Sequence, residues 1–198
     1  MIAREKLLLP LLLLLAALAG CKVDSINPIS SDDSARPDAA LYGVWLYKAE
    51  GERTYVHIGP EFSLGASGGA EAANQQTRII LIDHKPNGIT EEAYVAHVSR
   101  IGKQRYLNIA QTDDGKRVGF IFVRYTLIDR DSLRFSMLDA DALKAAIGAG
   151  RIKGTTRGEG LSSETAITAD SAEIEAFLKE DGGKLFAKPV LLKRMRDR

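Results

Sequence analysis

Residues 93–138 read AYVAHVSRIGKQRYLNIAQTDDGKRVGFIFVRYTLIDRDSLRFSML, and they decide the fold. Four runs rich in β-branched and aromatic residues, 93–101, 104–110, 117–129 and 132–138, are punctuated by Gly102-Lys103, Asp114-Gly115 and Arg130-Asp131. Such pairs supply the positive φ or the Asx-type turn that a tight hairpin needs. The pattern therefore predicts four consecutive antiparallel strands. The run 117–129 is more than twice the usual strand length of about 5 or 6 residues. It places Val118, Phe120 and Phe122 on one face, and Gly119, Ile121, Val123 and Tyr125 on the other. Two apolar faces require two covers, so one is expected against the core and one beneath later helices; a face lining a cavity is the alternative.

The same reading extends upstream. Runs 41–49, 52–58 and 77–83 have the same composition, with Glu50-Gly51 and Asn87-Gly88 as further turns. Seven strands in a meander usually close or sandwich themselves, because a free edge invites pairing with other chains. Downstream the period becomes helical. Asp139 is an N-cap candidate for a helix over 139–149, with Leu143, Ala146 and Ile147 at helical spacing and Gly148 and Gly150 to end it. Asp170 and Glu173 form an Asp-x-x-Glu variant of the capping box for a second helix carrying Ile174, Phe177 and Leu178, which Asp181-Gly182-Gly183 stops. Residues 166–168 read as one more short strand and 184–187 as a pairing segment, and the tail carries Lys193-Arg194-Met195-Arg196. The expected fold is mainly β: an antiparallel meander forming a barrel or strongly twisted sheet, with two short helices in the C-terminal third.

Arg4 and Lys6 precede an apolar run over 7–18, and Leu18-Ala19-Gly20-Cys21 follows. The run is shorter than the ~20 residues that span a bilayer. This order resembles a bacterial lipoprotein signal peptide with its lipobox. The resemblance implies cleavage before Cys21, acyl chains on its thiol and amino group, and residence in the cell envelope. Lys22 after the cysteine resembles lipoproteins sent to the outer membrane, which face the periplasm. The expected organisation is a signal peptide over 1–20, the lipidated Cys21 and a flexible tether over 21–40, and one β-rich domain over 41–198. Residues 22–40 are polar, with Pro28 and Pro37 and no apolar period; as a coil they would hold the domain about 25 Å from the membrane.

Cys21 is the only cysteine, so after lipidation neither a disulfide nor a thiolate ligand or nucleophile remains. The chain has 27 basic and 26 acidic residues; without Arg4, Lys6 and Glu5 it is formally neutral. A neutral domain has no field for gathering phosphate backbones, so nucleic acid is not an expected partner.

Gly43-Val44-Trp45 resembles the Gly-x-Trp on the first strand of lipocalins and related calycin barrels. The resemblance implies that Trp45 packs across the closed end of a barrel and that Gly43 permits close backbone approach. The chain departs from that pattern in lacking a clear second lipocalin motif and in having two late helices, and no arginine covering the tryptophan is assignable from the sequence. Residues 133–154, 173–177 and 185–186 also resemble a recurring strand–helix–turn pattern in uncharacterised bacterial lipoproteins, which implies architecture and no active site.

The chemistry-bearing residues are sparse. His57, His84 and His97 lie on separate runs without His-x-His or His-x₃-His spacing, so no metal or other cofactor is expected. Ser162 and Ser163 sit in a polar turn with no Gly-x-Ser-x-Gly elbow. Asp113-Asp114-Gly115 lacks the distal Glu of a calcium loop, Asp139 with Asp141 reads as helix capping, and Gly65–Gly69 does not join a strand to a helix. No enzymatic activity is expected. Phe120, Phe122 and Tyr125 are the candidate ligand-binding residues of a barrel for an apolar or amphipathic molecule such as a lipid, with 59–76 as a lid. The alternative is an envelope scaffold that binds another envelope protein and has a filled core.

Overall fold

The computed structural model describes residues 24–31, 35–49, 52–61, 76–158, 164–181 and 183–196. Cys21, the signal peptide, the Glu50-Gly51 turn and the core of the expected lid lie outside the described residues.

Eight antiparallel strands close into a barrel. The strands are β1 (Gly43–Ala49), β2 (Glu52–Pro60), β3 (Thr77–Lys85), β4 (Gly88–Ile101), β5 (Gln104–Asp113), β6 (Lys116–Asp129), β7 (Ser132–Met137) and, after an excursion, β10 (Val190–Arg194). The meander is as expected, and the hairpins turn where the sequence places them. Asp114 and Gly115 take φ of 47° and 72°, the left-handed pair of a two-residue hairpin. The excursion contains helix α1 (Ala140–Gly148), a separate hairpin of β8 (Gly154–Arg157) and β9 (Glu164–Ile167), and helix α2 (Ser171–Asp181).

Closure depends on a strand that the sequence reading leaves as tail. β10 inserts between β1 and β7, with Trp45 opposite Arg194 and Leu192 opposite Leu133. Each strand then has a partner on both sides, which removes the sheet edges. Both helix caps form. Asp139 accepts from the Ala142 amide at 2.9 Å. Asp170 accepts from the Glu173 amide at 2.8 Å while Glu173 reaches back to the Asp170 amide at 3.2 Å, the reciprocal box that satisfies two orphan donors.

The alternation of β6 divides the molecule into two cores. Ile121, Val123 and Tyr125 point inward to join Trp45, Val56, Ile58, Ile79, Leu107, Leu133 and Leu192 in the lumen. Phe120 and Phe122 point outward, where Leu143 of α1, Ile167 of β9 and Ile174, Phe177 and Leu178 of α2 cover them. Both faces are therefore covered from Gly119 to Val123, while Val118 at the start of the outer row is exposed.

The tether expected over 21–40 is corrected wherever its residues are described. Asp24, Ser25, Ile29, Ala35 and Asp38 are buried against the domain. Asp24 and Ser25 both donate backbone N–H to Phe120 O at 3.0 Å, and Phe120 returns its amide to Ser25 O at 2.8 Å. On the other side, Ile167 donates to Asp24 O and Ile26 to Ile167 O. Farther along, the Ile29 amide donates to Asn108 Oδ1 at 2.8 Å and His97 Nε2 donates to Ser30 O at 2.7 Å. Polar composition suggests a coil, but here the polar atoms, mostly backbone, are used to dock. The segment is a strap along the outer wall.

Candidate functional site

The two ends of the lumen differ. At one end the chain enters through a 3₁₀ turn, Ala39–Leu41, and Trp45 seals the barrel with its ring fully buried. Its indole N–H donates to Leu41 O at 2.8 Å, the partner a buried Trp needs. The Arg194 guanidinium stacks on that ring, 4.0 Å from its centroid. The same guanidinium donates to Tyr42 O, to Ala40 O at 2.7 Å and to Arg130 O at 2.7 Å. This is the arginine that the sequence reading cannot assign. Gly43 has φ of +133°, and a Cβ there would lie 2.5 Å from Arg194 Nη1, so glycine is required by both backbone and space.

Beside this plug, Asp38 Oδ2 accepts from the Tyr125 hydroxyl at 2.8 Å and from Arg105 Nη1 at 2.9 Å. Burial pushes the Tyr125 hydroxyl well above its ordinary pKa, and the hydrogen bond and negative charge of Asp38 add to the rise. Tyr125 is thus part of the closed end. Phe120 and Phe122 belong to the outer core. The three residues expected to bind ligand do not line the lumen cavity, which corrects that assignment. Alternation alone cannot say which of two apolar rows faces inward when both are covered.

The cavity lies at the opposite end. Tyr47, Leu81, Tyr94, Ile109, Val123, Met137 and Val190 are among the side chains that line it. Its volume is about 60 Å³, far below the ~300 Å³ at which ordinary ligand pockets begin. A water requires about 10–15 Å³ on the same measure, so the space takes roughly four to six methylene-sized groups, and its apolar lining favours carbon over water. Val123 is the one residue of the inward β6 row that lines it.

Polar groups stand on the inward rows toward this mouth. Thr54 Oγ1 donates to Asp83 Oδ1 at 2.5 Å, and these residues are cross-strand partners. Glu92, opposite Leu81, accepts from the Tyr94 hydroxyl. Burial raises the Tyr94 pKa first, then the bond to Glu92, with the charges of Glu92 and Asp83 adding to it. Gln111 is buried two residues beyond Ile109 on β5, and among the described residues its Nε2 has no partner.

The histidines do not converge. His97 is held under the strap against the Phe120 ring, His84 lies edge-on to Tyr55, and among the described residues no cluster of three potential metal ligands occurs. No helix among the described residues is long and apolar enough to cross a membrane. In comparisons with known proteins, the chain matches no family model, no curated protein sequence and no solved structure.

Proposed function

We propose that this is a lipid-anchored protein of the bacterial cell envelope, held to the outer membrane through Cys21 and facing the periplasm, whose barrel takes the slender apolar end of an amphipathic molecule. The observation that carries the reading is the asymmetry of the lumen. One end is plugged by Trp45 and Arg194, and the other narrows into a cavity lined mainly by apolar side chains. The plug also supports a calycin-like ancestry, since the Gly-x-Trp resemblance implies such an end.

The size of the cavity limits the ligand to a single alkyl chain, and the rim limits its head. Asp83 and Glu92 repel a carboxylate, whereas the carboxylates accept from a hydroxyl and the Gln111 amide, unpartnered among the described residues, donates to it. A neutral hydroxyl-bearing amphiphile, of the fatty-alcohol or monoacylglycerol class, fits both. Burying four to six methylenes at about 0.8 kcal/mol each gives roughly 3–5 kcal/mol, which corresponds to about millimolar affinity.

The test is a titration of the domain beginning at Lys22 with 1-octanol and octanoate, followed by NMR shifts of the Leu81, Met137 and Val190 methyl groups. Saturable shifts that are stronger for octanol, and lost in Val123→Phe, support the reading. Flat titrations with both compounds overturn it. The small cavity volume favours a second reading, an envelope scaffold with a filled barrel, and flat titrations would leave that reading in place.

A further inference from the structure

The strap fixes where the anchor leaves the domain. Asp24–Ile26 lies between β6 and β9 as a short added strand, antiparallel to Phe120 and parallel to Ile167. Asp24 is tied on both sides by backbone bonds, and its carboxylate also accepts from the Phe122 amide at 3.2 Å. The lipobox cysteine is three residues upstream. Three residues span at most about 10 Å even when fully extended, less than half the reach of the coil expected from composition. Because Asp24–Ile26 runs parallel to β9, its N-terminal direction is toward Glu164, the start of β9, and so toward Arg157, which pairs with Glu164.

We infer that the domain sits flush on its bilayer in one fixed orientation, with the paired strands β8 and β9 facing the phospholipid headgroups. This rests on lipidation of Cys21, as proposed above. The occupant of the surface follows from the length of chain between Asp24 and the anchor. The exposed groups of β8 suit it. Thr155, Thr156 and Arg157 present hydroxyls and a guanidinium to solvent, which can bond phosphate oxygens without entering the acyl layer. β2 lies across the ring from β6 in the strand order, so its outer face points away from the membrane.

The experiment uses the full lipidated chain in phospholipid vesicles that carry a headgroup-attached nitroxide quencher. A single cysteine is introduced at Thr156 (Thr156→Cys) or at the exposed Arg53 of β2 (Arg53→Cys) and labelled with a small fluorophore. Flush docking predicts quenching several-fold stronger at position 156 than at 53. It also predicts that Ser25→Pro, which removes one amide donor to Phe120 O, shrinks that contrast while the barrel stays folded by circular dichroism. Equal quenching at both positions in protein that co-floats with the vesicles overturns the orientation and leaves the anchor intact. Failure to co-float removes the anchor and the orientation together. If Ser25→Pro does not fold, the comparison of the two labels in the parent chain decides alone.

Discussion

Arg194 lies flat on Trp45 while its nitrogens reach the carbonyls of Ala40, Tyr42 and Arg130. One side chain from the last strand thereby holds the entry turn, the start of β1 and the β6–β7 turn at one point. A lysine keeps the charge but cannot satisfy three carbonyls and stack at once. Arg194→Lys is expected to lose about 1–3 kcal/mol of stability, measured as a lower urea midpoint with an unchanged slope.

Trp45→Ala removes the plug itself. The expected loss is about 3–5 kcal/mol, the range for a large core aromatic. The native chain, with Trp45 as its single tryptophan, should emit at short wavelength and shift red on unfolding. Long-wavelength emission from the native state would contradict the burial.

Gly43→Ala brings a Cβ against Arg194 Nη1 at a φ of +133°. The expected cost is about 1–3 kcal/mol, part backbone strain and part displacement of the guanidinium. The second part should vanish when Arg194 is already alanine. The double variant should therefore be more stable than the sum of the single effects predicts, which a double-mutant cycle reads directly.

Both ends of the lumen should be sensitive to alkali. The folded-state pKa of Tyr125 is raised above the ordinary 10.0, chiefly by burial, and that of Tyr94 is raised as well. Below pH 10 both states hold these protons. Above it the unfolded chain releases them first, so stability falls as pH rises through and beyond the unfolded value. Urea midpoints between about pH 8 and 11 should decline, and Tyr125→Phe should flatten the decline after a loss of about 1 kcal/mol at neutral pH.

Asp170→Ala breaks the reciprocal cap of α2 and should cost about 0.5–2 kcal/mol. The effect should show as faster hydrogen exchange in the first turn of α2, ahead of any change in the barrel amides.

The legible parts of this fold were those encoded locally. Asp114-Gly115 and Asn87-Gly88 mark hairpins through backbone preference, the Asp170–Glu173 spacing marks a helix start, and the two apolar rows of β6 announce two covers. The missed parts depend on register and on main-chain atoms. Val190–Arg194 is a short mixed run whose meaning comes from its partners, β1 and β7. The strap docks through the amides and carbonyls of Asp24, Ser25 and Ile26, which every sequence carries, so composition is silent about it. Arg194 became identifiable as the partner of Trp45 only once β10 lay beside β1. The inward row of β6 is likewise open in the sequence, because Phe120 and Phe122 on one face and Ile121 and Val123 on the other are equally apolar; the positions of the helices decide it.

The strap also sets an order of events. Asp24 bonds to a residue 98 positions later and Asn27 to one 142 positions later. The strap can therefore be fastened only after β6, β9 and the approach to α2 exist. Contacts of such separation form late and slowly. The strap therefore closes late, over strands and helices already in place. Folding thus ends on the N-terminal side of the domain, where the strap is drawn onto the wall that β6 and β9 have completed.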